Sequence, residues 1–123
     1  MFNPGDIVAF HSTVAGKRKY HLCISLNGHF LFLNSPKARN FPGDFIIDNA
    51  ELPNLPETPT GESVVSCNMV VTITKGQLRS GHARRIGTAS RELLLRLLEF
   101  IENTTVLSNE DKDKVLDGLG NWL

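Results

Sequence analysis

The stretch Gly61 to Arg79, GESVVSCNMVVTITKGQLR, decides the fold. In it Val65, Cys67, Met69, Val71 and Ile73 alternate with Val64, Ser66, Asn68, Val70, Thr72 and Thr74, so one set is wholly apolar and the other mostly small and polar. A period of two is the repeat of a β-strand. The run therefore predicts a central strand that covers a core on one side and turns Ser66, Asn68 and Thr72 to the other. β-Branched neighbours hold such polar groups rigidly, so that face can hydrogen-bond a ligand or simply meet water.

Downstream, Lys75-Gly76 ends the strand, and Lys75, Arg79, His82, Arg84 and Arg85 crowd five possible cations into eleven residues. They form either an anion-binding rim or a solvated connector. Two helices follow. Thr88 or Ser90 can cap the first, whose Leu94, Leu97, Leu98 and Ile101 recur at helical spacing as a stripe to pack on the sheet. Ser108 with Asp111 has the form of a capping box with Asp in place of Glu, opening a short acidic helix from Asn109 to about Asp117, with Gly118 placed to stop it.

Upstream, Pro53, Pro56 and Pro59 make residues 49–62 an extended connector, and Asp44 to Asp48 reads as a short strand. His29 to Leu33, HFLFL, is apolar on both faces and so predicts an interior strand. Asn27-Gly28 is a strong hairpin signal, joining it to a strand from about Tyr20 to Leu26. Before that, Thr13 to Lys19, TVAGKRK, reads as a loop ending in three cations able to follow a phosphate backbone, and Ile7 to Phe10 as the first strand after the Asn3-Pro4-Gly5-Asp6 turn. At Asn34-Ser35-Pro36-Lys37 an amide, a hydroxyl and a cation gather at a strand end.

The chain has 123 residues, enough for one self-sufficient core. Cys23 and Cys67 stand in apolar strand contexts outside any CxxC pair, so both read as reduced core residues. His11, His21, His29 and His82 lack ligand spacing, and no phosphate-binding glycine loop, HExxH or nucleophile elbow occurs, so no metal or other cofactor is expected. No apolar run reaches membrane-spanning length and MFNPGDIV lacks a basic segment before a long apolar one, so the expectation is cytoplasmic, without a membrane partner. The net charge of zero divides unevenly: residues 1–91 hold ten Lys+Arg and six Asp+Glu, and residues 92–123 hold three and seven. The strand-rich part is thus the half that attracts anions.

In element order, and in PGDIV (Pro4 to Val8), GKRKYHLCIS (Gly16 to Ser25) and ESVVSCNMVVTITKGQLR (Glu62 to Arg79), the chain resembles the MazF/PemK (Kid) toxins from Pro4 to Phe100. The resemblance implies an α+β fold: an SH3-like antiparallel β-barrel of five to seven short strands with the Leu94 helix packed on it. Residues 1–103 would form that barrel with its helix, and residues 104–123 a short helical extension. It also implies metal-independent cleavage of single-stranded RNA by 2′-hydroxyl attack, leaving a 2′,3′-cyclic phosphate and a 5′-hydroxyl. A homodimer and a cognate antitoxin protein competing for the RNA site are the implied partners.

Three positions depart from the family pattern. Lys19-Tyr20 replaces an Arg-Pro pair, Cys67-Asn68-Met69 replaces Cys-Asp-Gln or a variant of it, and Ser66 stands where some members carry arginine. Lys19, helped by Lys17 and Arg18, fits phosphate stabilisation, and Ser35 matches an RNA-contacting strand-end hydroxyl. Asn68 occupies an acidic position but does not titrate usefully, which leaves His21 or His11 for proton transfer. The expected catalytic set is Lys19, His21 and Asn68, and the RNA-binding set Lys17, Arg18, Ser35, Lys37, Ser66, Lys75 and Arg79. Two alternatives stand beside the enzyme: a barrel that has lost cleavage but still binds RNA or protein, and an unrelated interaction module. The acidic C-terminal helix is a further expectation, as a self-mask over the basic face.

Overall fold

The strand read from the central run extends over Glu62–Thr72 (β5) and is the longest in a computed structural model that describes residues 2–13, 15–36 and 41–123. The others are β1 (Asp6–Ser12), β2 (Lys17–Cys23), β3 (His29–Asn34), β4 (Asp44–Asp48) and β6 (Arg84–Thr88), with helices α1 (Lys75–Ser80), α2 (Arg91–Asn103) and α3 (Asn109–Trp122). All pairings are antiparallel and the order is β4-β5-β3-β2-β1-β6. The architecture is α+β, and β3 is interior as its two apolar faces require. Lys37 lies outside the described residues.

One expectation about β5 is overturned. Its pairing with β3 runs Asn34↔Val64, Leu33↔Val65 and Phe32↔Ser66, then resumes after a bulge at Phe30↔Val71 and His29↔Thr72. Cys67 to Val70 occupy the span opposite Leu31, and the extra residues change the phase of the alternation. Val65, Cys67 and Val70 therefore bury on one side of the sheet while Val71 and Ile73 bury on the other, and Met69 turns out to solvent at 45% exposure. The five apolar residues do not share one face.

The sheet consequently has a core on each side. On one, Ile7, Leu22, Leu31, Leu33 and Val65 meet Leu93, Leu94, Leu97 and Ile101 of α2, with Val115 and Leu119 of α3. Each fully buried leucine or isoleucine there contributes roughly 1.5–3 kcal/mol. On the other, Val8, Phe10, Cys23, Phe30, Val71 and Ile73 pack with Leu78 of α1. Both cysteines are free and buried, as read, and burial pushes each thiol up to about 12.

Several boundaries also move. The cations Lys17, Arg18 and Lys19 lie in β2, not in a loop, because the first hairpin pairs as far as Ser12↔Lys17. The cation-rich connector contains two elements: α1, opened by a capping box between Thr74 and Gln77, and the edge strand β6. Ser90 is the cap of α2, its hydroxyl oxygen accepting from Leu93 N at 3.1 Å. Helix α3 runs through Gly118, since that glycine is a contact residue and not a stop: a Cβ there would lie 2.0 Å from the Ile24 carbonyl oxygen.

The two edge strands are brought together by the proline connector. Asn54 Nδ2 donates to the Ile86 carbonyl of β6 at 2.7 Å, the Pro53 carbonyl lies against Gly87, and Glu51 pairs with Arg96 of α2. The segment leaving β4 thus closes over β6 at the far edge, a curvature compatible with a small barrel. Among the described residues no helix is long and apolar enough to cross a membrane.

Candidate functional site

Strand register places chemistry where β3, β5 and β4 lie side by side. Phe32 pairs with Ser66 and Ser66 with Asp44, so side chains far apart in sequence open into one cleft of about 370 Å³. Phe32, Asn34, Ser35, Asp44, Ser66 and Asn68 line it, with Phe41, Val64 and Met69.

A hydrogen-bonded chain crosses this wall. Lys19 Nζ donates to Asn34 Oδ1, and Asn34 Nδ2 donates to Ser66 Oγ at 2.7 Å. An ammonium has only protons to give, so it fixes the Asn34 amide with its oxygen toward Lys19. Ser66 accepts from that amide and keeps its own proton for a ligand. The Lys19 ammonium also stands 5.8 Å from the centroid of the Phe32 ring, within cation–π range. Asp44, half-buried, accepts from Phe41 N at 3.0 Å through Oδ2.

Of the expected set, Ser35, Ser66 and Asn68 thus line the cleft, and Lys19 is tied to its wall through Asn34. The structure separates others. Arg18 projects to the opposite face of β2 from Lys17 and Lys19, and its guanidinium donates at 3.4 Å to the carbonyls of Ala9, Gly81 and His82. Strand alternation breaks the KRK triplet. Lys75 and Arg79 are exposed on α1, and His11 is exposed on β1; none of them lines the cleft.

His21 is the sharpest departure. It is 0% exposed, stacked on Phe10 with ring centroids 3.7 Å apart and flanked by Phe30 and Phe32. Among the described residues neither ring nitrogen has a hydrogen-bond partner. Burial pushes its pKa down to about 4; backbone groups of Val8 and Lys19 oppose this only in part, and the Lys19 charge reinforces it. A ring sealed from solvent does not reach a substrate hydroxyl, so the expected proton-transfer role of His21 is corrected to a core one.

Sequence reading missed one residue in the cleft and one behind its wall. Asp44 follows a Pro-Gly turn and carried no signal of its own; only the β4–β5 register sets it against Ser66. Asp111 is the other. It does not complete a capping box with Ser108: the Ser108 hydroxyl oxygen accepts from Asp111 N, but the Asp111 carboxylate accepts from Val70 N at 3.1 Å, across to the β5 bulge.

Helix α3 borders a different groove, of about 480 Å³, against the β2–β3 turn. It is lined by Ser25 and His29 together with Glu110, Asp113, Asp117 and Trp122. Ser25 Oγ and His29 Nδ1 are 2.8 Å apart, and burial, with Lys114 nearby, lowers the His29 pKa. Three carboxylates make this larger groove a poor seat for a polyanion. No α3 residue lines the Lys19–Asn34–Ser66 cleft, so the expected self-mask is not formed over it. Among the described residues no group of three or more His, Cys, Asp or Glu could hold a metal ion.

Compared with protein families, curated proteins and solved structures, the chain matches none of them.

Proposed function

We propose that the Lys19–Asn34–Ser66 cleft binds single-stranded RNA and that the chain is a MazF/PemK-like, SH3-barrel endoribonuclease cutting without metal. The observation that carries this reading is the convergence of a carboxylate, a hydroxyl and two amides on one cleft with aromatic walls, with the Lys19 ammonium bonded to one of those amides from beside it. Aromatic faces stack unpaired bases, hydroxyls and amides bond base edges and sugar, and a cation offsets phosphate charge. Lys17, on the same face of β2 as Lys19, extends the cationic track.

For cleavage, the Asp44 carboxylate takes the proton of the ribose 2′-hydroxyl as O2′ bonds to phosphorus. The bond from phosphorus to the 5′-oxygen breaks, that oxygen takes a proton from solvent, and Lys19 offsets the negative charge of the crowded phosphate. The products are a 2′,3′-cyclic phosphate and a 5′-hydroxyl. A homodimer and a competing antitoxin protein belong to the same proposal.

One observation favours a second reading, RNA binding without cleavage: among the described lining residues Asp44 is the only titratable one. Incubation of the purified protein with a long single-stranded RNA in EDTA, with mapping of new ends, separates the two. The enzyme reading expects 5′-hydroxyl ends, with rates reduced about a hundredfold or more in Lys19→Met and in Asp44→Asn. RNA that is bound but intact establishes the second reading, and RNA neither bound nor cut overturns both.

A further inference from the structure

We propose that Asp111, in the first turn of α3, is a positioning residue for the cleft: its carboxylate grips the β5 bulge and so sets the wall formed by Asn68 and Met69. The proposal rests on the cleft reading above and lies outside the stretch that resembles the toxin family.

A bulge leaves backbone groups without their ladder partners. Here the Val70 N–H is met by Asp111 Oδ2 at 3.1 Å, across 41 residues of chain. A half-buried amide that lost this acceptor would be left unsatisfied, and a bond to a carboxylate is about twice as strong as a neutral one. The grip is itself anchored. Asp111 N is held at 3.1 Å by Ser108 Oγ, and Asp111 Oδ1 lies 3.5 Å from Lys114 Nζ. Val115 and Leu119, on the same helix, are fully buried. Asn68 and Met69 immediately precede Val70 and are exposed toward the cleft, so the position of the Val70 amide is passed directly to them through the backbone. The C-terminal helix therefore shapes the cleft from outside it.

Amide hydrogen exchange and the Asn68 side-chain amide resonances, measured on the full chain, test this without RNA. In Asp111→Ala, exchange at Val70 should rise about tenfold to a hundredfold, with the Asn68 side-chain resonances shifted and amides of the β2–β3 ladder unchanged. Asp111→Asn, which keeps an oxygen acceptor, should restore most of the protection. Lys114→Ala, which removes only the flanking charge, should leave Val70 protected. Asp111→Ser, well tolerated in a first turn but too short to reach Val70, carries the same expectation as Asp111→Ala should that variant fail to fold. Equal acceleration at all amides, or an Asp111→Asn variant no better than Asp111→Ala, would show a general structural role and overturn the proposal. Affinity for a single-stranded RNA oligonucleotide gives the second readout: a loss in Asp111→Ala that Asp111→Asn recovers supports positioning. Unchanged affinity in Asp111→Ala overturns it. If the unmodified protein binds no RNA, the cleft reading fails while the exchange arm still decides whether Asp111 holds the bulge.

Discussion

Replacing His21 with phenylalanine should remove a defined part of the protein's acid sensitivity. In the folded chain the ring titrates at about 4 because burial disfavours its charged form; in the unfolded chain it titrates near the ordinary value of about 6.5. The sign follows directly. Above about pH 6.5 the ring is neutral in both states and contributes nothing to the balance. Below that, the unfolded chain binds a proton that the folded chain refuses, so stability falls until the folded value is passed and is level thereafter. At about 1.36 kcal/mol per unit of pKa, the full loss is about 3 kcal/mol, of which about 2 kcal/mol has accrued by pH 5. Urea unfolding at pH 7, 6, 5 and 4.5 measures it. Carboxylates titrate in both proteins, so the difference between them isolates the histidine. His21→Phe keeps the stack on Phe10 and removes two unpartnered nitrogens. It should match or exceed the unmodified protein at pH 7 and pull ahead by about 2 kcal/mol at pH 5. Parallel loss of stability in the two proteins would refute the buried, neutral histidine.

Two glycines of α3 should respond in opposite directions: Gly118→Ala should cost about 3 kcal/mol through its clash with the Ile24 carbonyl, whereas Gly120→Ala, with nothing within 4 Å, should gain about 0.5 kcal/mol in thermal unfolding. A Gly118→Ala variant of unchanged melting temperature would mean that α3 does not dock on the end of β2. The thiols of Cys23 and Cys67, pushed up to about 12 by burial, should resist a disulfide reagent at pH 8 and react fully only in denaturant. Prompt reaction in the folded protein would contradict their burial.

Local chemistry in the chain was readable wherever one segment determines its own conformation. The short Asp44–Asp48 strand, the two-faced HFLFL run and the leucine stripe of α2 appear as their patterns require; the Asn27-Gly28 turn does join β2 to β3, but β2 ends at Cys23, short of Leu26, which is exposed. What was not readable depends on partners distant in sequence. The KRK triplet looked like a loop because the cost of ordering three cations is offset only by pairing with Phe10, His11 and Ser12 on β1. The β5 alternation looked regular through Met69 because a bulge is a property of two strands, and one strand's spelling does not reveal the phase change. Helix α1 did carry a local signal, the Thr74–Gln77 box, overlooked among the surrounding cations. Within the cleft, Ser35, Ser66 and Asn68 stood out as polar groups on strands or strand ends. Asp44 in the cleft and Asp111 behind its wall did not, since a lone carboxylate acquires meaning only from what the fold sets opposite it. His21 failed for the converse reason: alternation with Lys19 told which side of β2 it takes, but not that Phe10, Phe30 and Phe32 would enclose it.

The proline connector that reaches from β4 to β6 also bears on what the protein avoids. A sheet whose strands do not pair into a ring ends in rows of hydrogen-bonding groups that invite the strand of another molecule. Asn54 occupies the Ile86 carbonyl, and Pro53 crowds Gly87, so β6 offers an incoming chain a blocked template, while Arg84 and Arg85 add charge repulsion along the same border. The segment that read as a stiff, extended tether opens with a short 3₁₀ turn at Asn49–Glu51 and doubles as a guard against intermolecular polymerisation, and the prolines that follow the turn are what keep it from becoming a sticky strand itself.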